Sequence, residues 1–229
     1  MQGICFNSVR FLKLHLCNYG IFKGSHDFVF DPQRTVIIGG GGTGKTTIVN
    51  ILKYLGPAPG VTLHCHSKST KMSVEVVTGG NCDLIQRFSS IIFLGCRSAQ
   101  LLTLDQKDTL VDILDDQQEA MVRVEERNIF DALILERPRE AEENKGLSPE
   151  TMSDGEKVCL NYAFAFAVRR VLNLDLPTVF ESHYGALDLR LSKGVRAFLK
   201  HHSGQQILLG TGSEFQEEDE ANYKLNHVR

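Results

Sequence analysis

Apolar and polar residues alternate near the start of the chain. Leucines alternate with polar residues over 12–16, and after turn residues at 18–24 a second short run carries Phe28 and Phe30, two positions apart. A period of two is typical of strands that bury one face. The pattern predicts two antiparallel strands that lead into a buried third strand at 35–38.

The middle of the chain changes from a strand-like to a helical pattern. Strand-like segments at 61–63, 73–77 and 84–88 predict a strand meander, and the apolar run at 91–94 predicts a short buried strand. From Asp105 to Leu135, apolar residues recur mainly every three or four positions among many charges, which predicts amphipathic helices. Residues 136–151 are charged and contain two prolines and a glycine, so we expect an exposed or mobile connection there.

The last third of the chain alternates helices and strands. Ser153 and Glu156 form a capping-box pattern ahead of a long apolar segment, which predicts a buried helix over 158–172. Beyond it we predict a strand at 178–181, a helix at 190–201, a strand at 206–209 and a last edge strand at 223–227. Strands that alternate with helices are typical of a parallel sheet.

A glycine-rich segment joins the third strand to the helix that follows it. Its residues match the pattern G-x-x-x-x-G-K-[ST]: Gly39, Gly40, Gly41, Gly42, Thr43, Gly44, Lys45, Thr46 and Thr47. Glycines let backbone N–H groups turn toward phosphate oxygens, and the helix adds the positive end of its dipole. Lys45 is expected to reach the β- and γ-phosphates, and the Thr46 hydroxyl to ligate Mg²⁺. The segment therefore predicts nucleotide binding, with ATP and Mg²⁺ as the cofactors.

Composition and net charge exclude several classes of function. The formal net charge of −3 and the pI near 6.2 exclude a basic surface over the whole protein, so contact with DNA needs a local patch or a partner. The six cysteines show no C-x-x-C spacing, which predicts free thiols and a cytoplasmic location. No apolar run approaches the roughly 20 residues that cross a bilayer, so we expect no membrane partner.

The sequence His64-Cys65-His66 contains three side chains that commonly ligate metals. In a strand, however, the two histidines point to one face and the cysteine to the other. No matching ligand pair stands out elsewhere in the sequence. We therefore interpret these residues as ordinary strand residues.

Three motifs of this sequence resemble those of the ABC-type ATPase heads of the SMC/SbcC/RecF group, and they follow one another in the same order as in that group. The resemblance is to the DndD-like ATPases of DNA repair and phage defence in particular. The strands and phosphate loop over 12–47 resemble the start of those heads, and 152–157 resembles their signature L-S-G-G-E-K. Residues 176–188 are similar to the family's apolar strand, its D-[ST/E]-P and its L-D.

This resemblance implies an α/β, P-loop NTPase fold of the ABC-ATPase head type. Its mixed sheet is expected to include an antiparallel N-terminal β portion, with a helical sub-lobe beside it. We expect a single domain over 1–229, made of an N-terminal part over 1–100, a helical sub-lobe over 101–151 and a C-terminal part over 152–229.

The resemblance assigns a dimer contact to the signature segment. In the family, this segment of one subunit closes on the ATP held by the other, so Ser153, Gly155 and Glu156 imply an ATP-sandwiched dimer. A helix N-terminus with free N–H groups suits that contact. A homodimer and a pair with a related head both remain open. The dipeptide Glu156-Lys157 favours this group over transporter subunits, which usually carry glutamine there.

The catalytic positions depart from the family's pattern. Glu181 falls at the position that supports Mg²⁺, and Gln100 is the candidate for a glutamine ligand to the metal. Ser182 falls where many members place the catalytic carboxylate, although a one-residue shift would give that role to Glu181. The family's switch histidine falls near Gly212. Because phosphoryl transfer depends on positioning and charge stabilisation, we expect slow hydrolysis by Lys45, Glu181 and Ser182.

The resemblance implies a nucleotide-gated subunit of a DNA repair or defence complex. Its partner is expected to be a nuclease or another DNA-processing subunit, with DNA contacted directly or through that partner. The alternatives are a non-hydrolysing ATP-binding regulatory module and the nucleotide-binding subunit of a transporter. Only about fifty residues separate Gln100 from Met152, without sustained heptads, so we expect no coiled-coil arm.

Overall fold

The computed structural model describes residues 8–54, 59–68, 73–77, 114–134, 152–181, 187–201, 204–212 and 223–225. Within these ranges the strands are β1 (Ser8–Tyr19), β2 (Phe22–Val29), β3 (Arg34–Gly39), β4 (Val61–Lys68), β5 (Ser73–Val77), β6 (Thr178–Glu181), β7 (Gln206–Gly210) and β8 (Tyr223–Leu225). The helices are α1 (Lys45–Tyr54), α2 (Asp116–Leu133), α3 (Asp154–Val171) and α4 (Leu189–His201). The strands and α1 form one compact unit, and the other three helices belong to a second.

The first sheet is antiparallel, with the strand order β2-β1-β4-β5. Tyr19 pairs with Phe22, so β1 and β2 are joined by a two-residue turn at 20–21. Gly20 has a φ of 58°, which suits a glycine at the first position of a tight hairpin turn. The inner face of this sheet is apolar and fully buried at its centre, at Phe11, Leu14, Leu16, Leu63 and Cys65.

The second sheet is parallel, with the strand order β6-β7-β3-β8. Buried Ile37 on β3 is level with Leu209 on β7. In parallel sheets the crevice outside the carboxyl ends of the strands is where ligands bind. Because all four strands run the same way, the carboxyl ends of β3, β6 and β7 lie at this one edge.

The buried side chain of Gln205 ties together segments that lead into the two sheets. Its Oε1 accepts a hydrogen bond from the Phe11 backbone N–H at 2.8 Å, and its Nε2 donates to the Phe11 carbonyl at 2.7 Å. The same Nε2 donates to the Asp31 carbonyl at 3.0 Å, just ahead of β3. β1 has an irregularity in its register directly after Phe11. Gln205 therefore satisfies backbone groups at a point where the regular ladder is interrupted.

The helical unit is organised around α3, which is buried on almost all sides. A helix that is apolar all round is typical of a protein core. α3 and α2 are linked by an ion pair between Arg170 and Glu125, with Nη1 and Oε2 3.1 Å apart. α3 also meets α4 through Phe166 and Phe198, whose ring centroids are 5.0 Å apart.

The predicted α/β fold class, with antiparallel and parallel β portions and a helical part, is confirmed. Every predicted strand and helix that falls in the described ranges is present, with differences of a few residues at the ends. The predicted strands at 84–88 and 91–94, and the predicted connection at 136–151, lie outside the described residues. Among the helices described here, none is both long enough and apolar enough to cross a membrane.

Candidate functional site

The glycine-rich loop lies between β3 and α1, at the carboxyl edge of the parallel sheet. Gly42 and Gly44 have φ values of 74° and 100°, in the region that disfavours residues with a side chain. Gly40, Gly41 and Gly42 are exposed. The sequence thus places left-handed turns where the chain must reverse from the strand into the helix.

Two glycines of the loop are also required by close packing. A Cβ atom at Gly44 would lie 2.6 Å from Cζ of Phe22 and 3.0 Å from Cδ1 of Ile21, at the tip of the β1–β2 hairpin. A Cβ atom at Gly39 would lie 2.3 Å from Oγ1 of Thr43. The hairpin tip therefore packs directly against the phosphate loop at Gly44. Sequence reasoning missed this role of Ile21 and Phe22, because the only available signal was their place beside a predicted turn.

The loop combines a cation with available backbone donors. Nζ of Lys45 donates to the carbonyls of Gly39 and Gly40 at 2.6 and 2.7 Å. Within the described part of the chain, the N–H groups of residues 41–44 donate to no protein acceptor. α1 begins at Lys45, so its first N–H groups lack intrahelical acceptors as well. This donor set is chemically matched to the oxygens of a di- or triphosphate.

The three threonines of the segment have different surroundings. Thr43 is 2% exposed and its Oγ1 donates to the Gly40 carbonyl at 2.9 Å, so only its backbone is available to a ligand. Thr46 is exposed in the first turn of α1. A Cβ atom at Gly20 would lie 3.4 Å from Cγ2 of Thr47, which places Thr47 beside the hairpin turn. Of the three hydroxyls, that of Thr46 is the one whose exposure suits a metal ligand.

The parallel register brings the backbone of Glu181 to the same edge of the sheet. Glu181 pairs with Leu209, which in turn pairs with Ile37, two residues before the loop begins. Two strand spacings separate Glu181 from β3, about 10 Å in an ordinary sheet. Gly212 is exposed, and a Cβ atom on it would lie 3.8 Å from Cγ2 of Ile38.

Two predicted site residues cannot be placed in this way. Ser182 and Gln100 lie outside the described residues. Their assigned roles therefore stay predictions.

The signature segment forms the start of α3, in the helical unit. Ser153 is the N-cap, and its Oγ accepts from the Glu156 N–H at 3.3 Å, while Glu156 Oε2 accepts from the Ser153 N–H at 2.9 Å. The predicted capping box is confirmed. Ser153 is exposed whereas Gly155 is buried. The exposed cap leaves the start of the helix open to contact from another molecule.

The His64-Cys65-His66 segment lies in β4 as ordinary strand residues. Cys65 is fully buried, and both histidines are partly exposed on the opposite face. Over the part of the chain that the structure describes, no group of three His, Cys, Asp or Glu side chains could hold a metal ion.

Comparison with known proteins supports the fold and the loop. A family model described as an AAA domain, AAA_23, matches residues 13–55, which contain most of the β1–β2 hairpin, β3, the phosphate loop and all of α1. No match is found among curated protein sequences.

Three solved structures share the fold. The SMC head domain from Thermotoga maritima is 16% identical with a TM-score of 0.55, and the match covers 95% of this chain and 94% of that one. The SmcHead bound to the C-winged helix domain of ScpA is 16% identical, with a TM-score of 0.60 over 89% and 90% of the two chains. The Smc head domain with an extended coiled coil, bound to the C-terminal domain of ScpA derived from Pyrococcus furiosus, is 13% identical, with a TM-score of 0.56 over 90% of each.

The architecture, the phosphate loop and these matches agree with one another. This chain has the fold of an SMC-type ABC ATPase head, built around a P-loop.

Proposed function

We propose that this protein binds ATP with Mg²⁺ in the P-loop, dimerises around the nucleotide, and thereby gates a partner in a DNA repair or defence complex. The loop over 39–47 carries the proposal, because it holds exposed glycines and a lysine at the start of a helix, and because the N–H groups of 41–44 have no acceptor among the described residues. Such a loop binds the phosphates of a nucleotide.

The residues present fit this nucleotide. The N–H groups of 41–44 would hold phosphate oxygens, and Lys45 would exchange its two carbonyl acceptors for the β- and γ-phosphates. The Thr46 hydroxyl and the carboxylate of Glu181 are proposed to hold Mg²⁺, together with Gln100. When bound, the metal neutralises charge that develops on the phosphates.

Dimerisation is proposed to use the start of α3, where the Ser153 cap is exposed. Ser153 and Gly155 would contact the γ-phosphate held by the other subunit, and the Glu156 side chain would keep the cap ordered through its bond to the Ser153 N–H. The similarity to SMC heads that are solved with ScpA domains supports a role in an assembly. A nuclease or other DNA-processing subunit is the kind of partner that we propose, in line with the DndD-like motifs.

Slow hydrolysis is the expected catalytic behaviour. Ser182 carries no carboxylate to orient the attacking water, and Gly212 has no side chain to reach a γ-phosphate. Glu181 and Lys45 would then act mainly in binding.

The test is light scattering of the purified protein with and without ATP and Mg²⁺, with phosphate release followed in the same samples. We expect a monomer that becomes a dimer with ATP and releases little phosphate. Lys45→Ala should stay monomeric with ATP, whereas Lys23→Ala, a matched change at an exposed position on β2, should behave like the parent. A parent that binds ATP yet stays monomeric would refute the homodimer, and one that binds no ATP would refute the whole proposal.

The second candidate is a regulatory module that binds ATP and never hydrolyses it. The hydroxyl at Ser182 favours it, because serine cannot act unaided as a general base. Ser182→Glu distinguishes the two candidates. A clear rise in phosphate release would show a working site that lacks only its carboxylate, and no rise would favour the regulatory module.

A further inference from the structure

The buried hydroxyl of Thr43 bonds to a backbone carbonyl within the phosphate loop. Thr43 is 2% exposed, and its Oγ1 donates to the Gly40 carbonyl at 2.9 Å. Gly39 leaves the space for this hydroxyl, because a Cβ atom at Gly39 would lie 2.3 Å from Oγ1. The P-loop pattern allows any side chain at position 43, so the pattern does not account for a threonine whose hydroxyl is held in this way.

The bond from Thr43 fixes the direction of the peptide group that joins Gly40 to Gly41. In a planar trans peptide the C=O and the N–H point to opposite sides. Because the Gly40 carbonyl points toward a buried hydroxyl, the Gly41 N–H points away from it. Gly41 is exposed, and among the described residues its N–H has no acceptor. This N–H is one of the donors that the proposed function assigns to phosphate oxygens.

A peptide between two exposed glycines needs such a restraint. Gly40 and Gly41 carry no Cβ atom, so sterics also permit conformations that would point the Gly40 carbonyl, which repels phosphate, at the ligand. In this structure Nζ of Lys45 donates to the same carbonyl at 2.7 Å, beside the Thr43 hydroxyl. Lys45 would leave this carbonyl for the phosphates when a nucleotide binds. The Thr43 hydroxyl would then be the remaining donor to it among the described residues.

We propose that Thr43 is a positioning residue for the nucleotide phosphates. Its hydroxyl holds the peptide between Gly40 and Gly41 so that the Gly41 N–H faces the phosphate site, and its side chain does so without touching the ligand. This role rests on the nucleotide binding proposed above and adds to it a residue that acts through the backbone. A hydroxyl with a purely structural role would instead stabilise the protein equally with and without nucleotide.

The test is titration of a fluorescent ATP analogue into the full chain, with thermal unfolding of the same samples in the absence of nucleotide. Thr43→Val keeps the shape of the side chain and removes the donor, so it should weaken binding by about tenfold, the effect of one hydrogen bond to a charged group. Its unfolding midpoint without nucleotide should be close to that of the parent, because the Gly40 carbonyl keeps its bond from Lys45. Thr43→Ser keeps the hydroxyl and should bind like the parent.

Thr35→Val is the matched control, because Thr35 is also a buried threonine whose hydroxyl bonds to the backbone, but outside the loop. Thr35 is fully buried, and its Oγ1 accepts a hydrogen bond from the Asp31 N–H at 2.8 Å. Thr35→Val leaves this N–H without its acceptor. The control should therefore show the opposite result: a lower unfolding midpoint without nucleotide and an unchanged affinity for the analogue.

Several results would overturn the role of Thr43. They are an unchanged affinity in Thr43→Val, an equal loss of affinity in Thr35→Val, and a loss that Thr43→Ser shares in full. Because valine places a methyl group in a buried site, Thr43→Ala is measured beside it, with the same expected loss of affinity. A parent that binds no analogue would refute the nucleotide site and this role together. A parent that binds the analogue no better than Thr43→Val and Thr43→Ala would refute only the role of Thr43.

Discussion

The amide of Gln205 is expected to be one of the most sensitive positions in the strand-containing unit. Gln205 is fully buried and makes three hydrogen bonds, two to Phe11 and one to Asp31. Gln205→Ala would leave one donor and two acceptors of the backbone without their partner. A buried polar group that loses its partner costs about 1–3 kcal/mol, so we expect a loss of about 4 kcal/mol, allowing for partial rescue by water.

Urea unfolding followed by far-UV circular dichroism measures this loss. The midpoint should fall at an unchanged m-value, which identifies a change in stability rather than in compactness. Gln33→Ala is the matched control. Gln33 is exposed and forms its hydrogen bonds through its backbone N–H and carbonyl, so its substitution should cost less than about 0.5 kcal/mol. A Gln205→Ala variant within 1 kcal/mol of the Gln33→Ala variant would show that the buried bonds contribute little net stability.

Three further predictions concern the loop, the signature helix and the cysteines. Gly44→Ala places a Cβ atom 2.6 Å from the Phe22 ring, on a residue with a φ of 100°. This substitution should lower the free energy of unfolding by about 1–3 kcal/mol and weaken binding of a fluorescent ATP analogue. Gly41→Ala is the control and should leave stability almost unchanged, because a Cβ atom at Gly41 has no neighbour within 4 Å. Ser153→Ala removes an N-cap that stabilises the helix by about 1 kcal/mol. This variant should bind ATP but no longer dimerise with it. Retained dimerisation would contradict the proposed contact of Ser153 with the other subunit. Burial, with the charges of nearby acidic residues, raises the pKa of the Cys159 thiol to about 12. The thiol should therefore resist a thiol reagent at pH 8 until the protein unfolds. Its contribution to the stability of the fold should be lost as the pH rises from about 9 toward 12. Exposed Cys17 should react at once, so Cys17→Ser should remove one fast-reacting thiol and Cys159→Ser none.

Much of the fold followed from local patterns. The alternation over 12–16 gave β1, and the capping box at Ser153 and Glu156 gave the start of α3. The glycine-rich loop was predicted because its spacing, the strand before it and the helix after it lie within about twenty consecutive residues. In each case the residues that specify the element are neighbours in the chain.

Other features of the site could not be predicted in this way. The pairing of Glu181 with Leu209, and of Leu209 with Ile37, places the proposed metal ligand at the edge that holds the P-loop, and it joins segments more than a hundred residues apart. The packing of Phe22 against Gly44 depends on how the hairpin folds over the loop. The spacing of the loop also gave no sign that Thr43 is buried and that its hydroxyl donates to the Gly40 carbonyl.

The sequence by itself determined the P-loop for phosphates and the capped start of α3, and it is the source of the proposal that Ser182 and Gly212 are weak catalytic positions. Only the tertiary structure decided that Gln205 bonds to Phe11 across 194 positions, and that Leu191 and Leu199 of α4 are buried while Lys193 and Lys200 are exposed. The reason is physical. Periodicity and caps act between neighbouring residues, whereas burial and long-range hydrogen bonds depend on which segments the folded chain brings together.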